Sequence, residues 1–235
     1  MSDQQSLTRA RLKTPKAAAV AGILFSILLG LIFGLLRMSL PADPLDAGEW
    51  LATGARTVTL AVNLVPFAGV AFLWFLGVLR DRLGAEEDQF FATVFFGSGI
   101  LFLAMLFAGA ALVGAIVLIF ANAPAEIVRS ASVGCARAAA YNIANIYAAK
   151  MAGVFMMSAS AIVLRTRIAP RWLALAGFGG ALVLLFGGDL ISWNFAVLPA
   201  WVLMISLYIL FDNFQLSARL ERHLPRAQAS DRKKV

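Results

Sequence analysis

The fold is decided by the run Phe90–Ala121, FFATVFFGSGILFLAMLFAGAALVGAIVLIFA, which holds 32 residues and no charged side chain. The hydrocarbon core of a bilayer is roughly 30 Å thick, so a spanning helix needs about 20 mainly apolar residues. This run is longer than that, and a helix of this length tilts in the membrane or projects from it. The sequence therefore predicts a membrane-embedded α-helix here.

Five further apolar runs accompany this one, and the composition of the chain agrees with them. Of the 235 residues, 61% are hydrophobic and 14% are charged, against about a quarter charged in ordinary soluble domains. This composition argues against a soluble enzyme, a disordered chain and a disulfide-rich secreted scaffold. We expect an all-α polytopic transmembrane bundle with six spans. The predicted spans are Ala17–Leu36, Thr57–Leu79, Phe90–Ala121, Ala138–Leu164, Trp172–Phe186 and Phe195–Phe211.

The distribution of Lys and Arg predicts the orientation of these spans. The N-terminus, the 80–89 loop, the 165–171 loop and the C-terminus fall on one side and carry fifteen basic residues, whereas the other side carries four. Cytoplasmic loops are the ones enriched in Lys and Arg, so both termini are expected in the cytoplasm. Residues 1–16 are then a basic cytoplasmic N-terminus, 17–214 the six-helix transmembrane domain, and 215–235 a basic cytoplasmic tail.

The net charge of +7 is explained by this topology. The basic residues are spread over four segments beside the spans, a pattern that does not favour nucleic acid as a partner. The C-terminal stretch Arg219–Lys234 either contacts anionic lipid headgroups or is simply a solvated tail. Tryptophan also favours membrane interfaces. Trp50, Trp193 and Trp201 are expected near the outer interface, and Trp74 and Trp172 near the inner one.

Small residues recur every four positions along the first predicted span. They are Ala18, Gly22, Ser26, Gly30 and Gly34. A groove of small side chains lets another helix backbone approach closely, which is how helices associate where lipid gives no hydrophobic drive. At 3.6 residues per turn the stripe drifts around the helix, so a partner helix should cross it at an angle. That partner is either another span of this chain or a second protein or copy.

The fourth predicted span carries the most polar side chains. Asn142 and Asn145 share one face, and Lys150 lies beside that face, about 22 Å along the helix from Arg165. A charge at this depth is costly in a membrane and is a functional hypothesis by default. The alternatives are that Lys150 snorkels outward on its long stem or that it pairs with Asp189, which follows the fifth span.

Other polar residues are expected at a similar height in the outer half of the bundle. Asn63 lies on the second span near Pro66, and Arg137 lies at the rim of the fourth. We expect a candidate ligand site in a polar cavity open to the outside. Its residues are Lys150, Asp189, Asn142, Asn145, Asn63 and Arg137. The alternative is plain hydrogen bonding between helices, which contributes about 0.6 kcal/mol per bond.

Residues for catalysis are scarce. His223, the one histidine, lies in the charged tail, and the one cysteine, Cys135, cannot by itself form an internal disulfide or a metal site. The sequence has no zinc-protease, nucleophile-elbow or phosphate-loop motif. We expect no enzyme activity, no catalytic residue, no metal and no cofactor.

A resemblance to other chains covers predicted spans four and five. The stretch Val154–Phe178 ends one span in Leu-Arg-Thr, continues through Pro-Arg-Trp and begins a glycine-bearing span. It is similar to a segment common in uncharacterised six-span bacterial integral membrane proteins. The resemblance implies a bacterial plasma membrane and carries no activity with it.

Two functions remain in view. The first is a non-enzymatic accessory or scaffold subunit that packs against a larger membrane complex, as the small-residue stripe and the lack of catalytic motifs favour. The alternative is a small transporter or lipid-handling protein with a polar outer-leaflet cavity around Lys150. The expected partners are membrane lipids and other integral membrane subunits.

Overall fold

The structure, a computed structural model, is helical throughout the part of the chain that it describes, apart from short connections. It describes the backbone of residues 2–39, 50–83, 89–122, 125–128, 130–166, 169–187, 194 and 196–212. Side chains are described for 17, 19–39, 54–80, 91–121, 127–128, 130–166, 169–187, 194 and 196–212. The predicted tail, 215–235, lies outside these residues. The all-α prediction is confirmed.

The described part of the chain forms six main helices and one short one. They are α1 (Ser2–Ser39), α2 (Trp50–Leu83), α3 (Gln89–Asn122), α4 (Ala125–Val128), α5 (Ala131–Thr166), α6 (Arg171–Phe186) and α7 (Ala196–Asp212). Each main helix corresponds to one predicted span, although the sixth prediction begins at Phe195, one residue before α7 and outside the described residues. The helix α1 begins at Ser2, so the basic N-terminal residues continue the first span as helix. The helix α5 begins seven residues before the predicted Ala138.

Four of these helices are long and apolar enough to cross a membrane, and the other two are shorter. The segments Ala19–Ser39, Gly54–Arg80, Phe91–Ala121 and Ala131–Thr166 meet the length of a span. The helices α6 and α7 are apolar but shorter, and α6 has only 16 residues. The predicted fifth and sixth spans, Trp172–Phe186 and Phe195–Phe211, were already the shortest of the six, and the structure has its two shorter apolar helices there.

Successive main helices run antiparallel. The end of α1 lies against the start of α2 at Ser39 and Gly54, and α6 turns back into α7 so that Gly180 contacts Val197. Three further contacts continue this antiparallel order. They join α2 to α3 at Gly69 and Leu103, α3 to α5 at Gly109 and Ile143, and α5 to α6 at Gly153 and Leu184. Contact of Gly22 with Ser206 brings α7 back against α1. The result is an up-and-down bundle.

The core is centred on the ring of Phe72 in α2. Ring centroids lie 4.7 Å away in Phe25 of α1, 5.3 Å away in Phe102 of α3 and 5.3 Å away in Phe155 of α5. Phe72 has no exposed surface. Edge and tilted arrangements of this kind are favourable beyond the area that they bury. This aromatic cluster joins the four long helices at one height.

Two arginines mark one end of the bundle. The guanidinium of Arg80, near the end of α2, lies 4.8 Å from the ring centre of Phe96, and that of Arg165, near the end of α5, lies 4.6 Å from the ring centre of Phe91. Cations over aromatic rings are attracted by the ring quadrupole. Both rings are in the first turns of α3. The last turns of α2 and α5 and the first turns of α3 therefore lie at the same end of the bundle.

Trp201 is a core residue, and its expected place at the outer interface is wrong. Its side chain is 2% exposed, and its Nε1 donates a hydrogen bond of 3.1 Å to the carbonyl oxygen of Leu173. A buried indole N–H needs such an acceptor. Trp74 and Trp172 are exposed on the surface of the bundle, as an interfacial position requires, and the side chains of Trp50 and Trp193 lie outside the description.

Candidate functional site

The helix α5 carries most of the predicted ligand residues and is irregular where they cluster. Residues Ile143–Ala148 form a π-helical turn between two α-helical segments, Ala131–Asn142 and Ala149–Thr166. A π-helix closes hydrogen bonds over five residues, and such turns occur often at functional sites. The side-chain amide of Asn145 donates a 3.0 Å hydrogen bond to the carbonyl oxygen of Tyr141. The Asn145 amide is thus bonded to the backbone of its own helix beside this turn.

The predicted ligand residues are mostly on the surface of the bundle. Lys150, Asn142 and Asn63 are exposed, and Asn145 and Arg137 are half-buried. Asp189 lies outside the described residues. The π-helical turn rotates the residues before it relative to those after it, so Asn142 and Lys150 are not related as they would be on a regular α-helix.

The heights of these residues along the bundle follow from their neighbours on α3. Val62, next to Asn63, is placed 3.6 Å from the Cβ position of Gly114. Ile143, next to Asn142, is placed 3.7 Å from the Cβ position of Gly109. Asn63 and Asn142 therefore lie at similar heights on two helices that both pack on α3. The polar cavity itself stays a prediction.

The small-residue stripe of α1 divides into two halves. Gly22 and Ser26 are buried, and a Cβ atom at Gly22 would collide with Ser206 of α7 and with the Phe75 ring at 2.8 Å. The Ser26 hydroxyl donates to the Gly22 carbonyl oxygen at 2.8 Å. This half of the stripe packs inside the bundle. The side-chain environment of Ala18 lies outside the description.

The other half of the stripe is open. Gly30 and Gly34 are exposed, and Cβ atoms built on them meet nothing within 4 Å. They lie on the outward face of α1 with Ile27 and Leu31, which are 58% and 48% exposed. The drift of the stripe around the helix explains the division, because one end faces α7 and the other faces away from the bundle.

A second close helix contact joins α5, α6 and α7. A Cβ at Gly177 would collide with the Ser160 hydroxyl and would lie 2.6 Å from Nε1 of Trp201. Among the side chains that the structure describes, the hydroxyls of Ser160 and Ser206 are buried without a hydrogen-bond partner. Both face a glycine, Gly177 and Gly22 respectively, so the missing side chain is what allows the close approach.

Tyr147 was not predicted as a site residue, but it belongs to the exposed polar surface of α5. Its side chain is 57% exposed, three residues before Lys150. The three-residue spacing between Tyr147 and Lys150 could have predicted this from the sequence, because residues three apart lie on one helix face.

Within the described ranges, no three His, Cys, Asp or Glu side chains come together as a metal site would require. Comparisons with known protein families, with curated proteins and with solved structures found no match.

Proposed function

We propose that the chain is an integral protein of a bacterial plasma membrane, with six spans and both termini in the cytoplasm. The fifteen-to-four bias in basic residues supports this orientation. The stacking of Arg80 and Arg165 on the first turns of α3 supports it as well, because these two basic residues lie at the same end of the bundle. The resemblance of Val154–Phe178 to segments of multi-pass bacterial proteins favours that membrane.

Cysteine labelling tests this topology. In a Cys135→Ser background, a maleimide that cannot cross the membrane should label Pro44→Cys and Ala125→Cys in whole cells. Ala85→Cys and Ser230→Cys should react only after the cells are permeabilised. Labelling of Ser230→Cys from outside would contradict the six-span arrangement. Native Cys135 is exposed near the start of α5 and should also react from outside.

We further propose that the protein is a non-enzymatic accessory subunit that packs against a partner helix of a larger membrane complex. One observation carries this proposal: Gly30 and Gly34, one turn apart on the outward face of α1, have open space at their Cβ positions. Lipid tails are as apolar as leucine, so helix association in membranes depends on close packing at small residues. Gly22 and Ser26 already serve the bundle, which leaves the open half for another molecule.

Leucine substitutions at the open glycines test this role. Gly30→Leu and Gly34→Leu should leave the thermal unfolding temperature of the purified protein unchanged, because each new side chain projects into open space. The same variants should lose the partner on co-purification in mild detergent, or lose the dimer if the partner is a second copy. Overpacking of a tight interface typically costs about 1–3 kcal/mol. Partner content is measured by quantitative mass spectrometry.

Two matched variants complete this experiment. Gly179→Leu changes an exposed glycine of α6 that also meets nothing within 4 Å, and it should keep the partner. Gly22→Leu should destabilise the protein itself, since that position is filled by Ser206 and Phe75. If Gly30→Leu keeps both its stability and its partner, that face of α1 contacts only lipid and the subunit role is wrong.

A further inference from the structure

The helix α6 ends at the height of Lys150. Gly153 of α5 packs against Ala181, Leu184 and Leu185 near the end of α6, and only Phe186 follows within that helix. Lys150 is three residues beyond Gly153 in the same direction, about 4.5 Å at 1.5 Å per residue. From there α5 continues for another 19 residues to Ala131, about 28 Å. The first half of α5 therefore rises above α6.

The level at which α6 ends beside α5, here called the step, lies within the bilayer. Arg165 and Arg171 mark the inner interface in the orientation proposed above. Lys150 lies 15 residues from Arg165, and Phe186 lies 15 residues from Arg171, so each is about 22 Å above it. A bilayer core is roughly 30 Å thick, so both lie about 8 Å below the outer boundary. A hydrophobic element that is too short is accommodated by local thinning of the bilayer.

Polar side chains occupy the surface of α5 at and above this step. Lys150, Tyr147 and Asn142 are exposed. Lys150 and Tyr147 are three residues apart on one face. The π-helical turn, with its hydrogen bonds closed over five residues, brings Asn142 and Tyr147 close to one face as well. An ammonium, a phenol and an amide thus supply hydrogen-bond donors along one surface.

We propose that this surface of α5 binds the phosphate group of an outer-leaflet phospholipid. A phosphodiester is the abundant anion at this depth once the bilayer thins over the short α6, and the stem of Lys150 reaches outward to meet it. A charged donor and a phosphate form a strong hydrogen bond. This lipid site is independent of the partner contact proposed at Gly30 and Gly34 of α1. It depends only on the membrane orientation proposed above, which the cysteine-labelling experiment tests separately.

Binding of a short-chain phospholipid tests the site. The purified protein is titrated with dihexanoyl phosphatidylglycerol below its micellar concentration, and binding is followed by native mass spectrometry. Lys150→Met should weaken binding by about tenfold or more, as the loss of one charged hydrogen bond implies. Lys150→Arg should restore most of it. Because Lys150 is exposed, Lys150→Met should leave the unfolding temperature of the lipid-free protein unchanged.

Three controls decide the assignment. Arg37→Gln removes an exposed positive charge near the end of α1 and should bind the phospholipid as the wild type does. Inorganic phosphate should not compete at equal concentration, and equal competition would overturn a lipid site. Asp189→Asn should leave binding unchanged. If it strengthens binding, or if Lys150→Met binds normally, Lys150 is held by Asp189 or serves another role, and the proposal is wrong.

Discussion

Replacing Phe72 by Ala is expected to lower the free energy of unfolding by about 3 kcal/mol. The ring contacts three other long helices through Phe25, Phe102 and Phe155, so its loss leaves a cavity at the point where they meet. Phe→Ala substitutions in soluble cores cost about 3–5 kcal/mol. The lower end applies here, because the unfolded helices remain in an apolar medium and only the packing and cavity terms are lost.

The matched variant is Phe67→Ala on the same helix. The Phe67 side chain is 66% exposed, so its removal opens no cavity and should cost little. Unfolding in mixed detergent micelles, with increasing SDS and a helix-sensitive spectroscopic signal, measures both variants against the wild type. Equal losses for the two would mean that Phe72 is no more important than a lipid-facing ring, which would contradict the core described above.

Adding a single methyl group at Gly177 is expected to destabilise the protein by a similar amount. The Cβ of Gly177→Ala would occupy the space of the Ser160 hydroxyl and the Trp201 indole. Overpacking typically costs about 1–3 kcal/mol. Displacement of the indole also breaks its hydrogen bond to Leu173, which contributes about 1 kcal/mol more. The α6–α7 pair should therefore loosen from α5.

A Gly→Ala substitution two residues further along α6, at Gly179, should not lower the stability of the protein. Gly179 is exposed and meets nothing within 4 Å, and Ala is favoured over Gly in a helix by about 1 kcal/mol. Gly179→Ala should be neutral or stabilising. Thermal unfolding in one detergent, with the ellipticity at 222 nm as the signal, compares the two variants. A Gly177→Ala protein as stable as Gly179→Ala would rule out the close helix contact.

Hydropathy predicted the positions of the helices well, but it did not predict which face of each helix packs inside the bundle. The predicted run Phe90–Ala121 differs from α3, Gln89–Asn122, by one residue at each end. Within a membrane, however, an apolar side chain is equally compatible with contact to lipid or to protein. Hydropathy therefore does not distinguish the buried Phe72 from the exposed Phe67. Trp201 illustrates the same difficulty, because an indole suits an interface as well as a core that offers an acceptor.

Small residues and polar residues were only partly interpretable from the sequence. The four-residue spacing identified the α1 stripe, but the angle at which α7 meets α1 decides which half is used, and that angle depends on the whole bundle. The predicted relation of Asn142 to Lys150 assumes a regular α-helix, whereas a π-helical turn lies between them. The heights of Asn63 and Asn142 were predictable because rise along a helix depends little on its faces.

The π-helical turn of α5 also has a consequence for the evolutionary history of such chains. A π turn is an α-helix that has accommodated one extra residue. A relative that lacks one residue within 143–148 would keep a continuous helix but would turn the segment Ala131–Asn142 by about 100° relative to α3. Val133 would then leave its cluster with Ile116. A single-residue gap in an alignment across this stretch is therefore a structural event, and relatives that carry one should show compensating changes on α3.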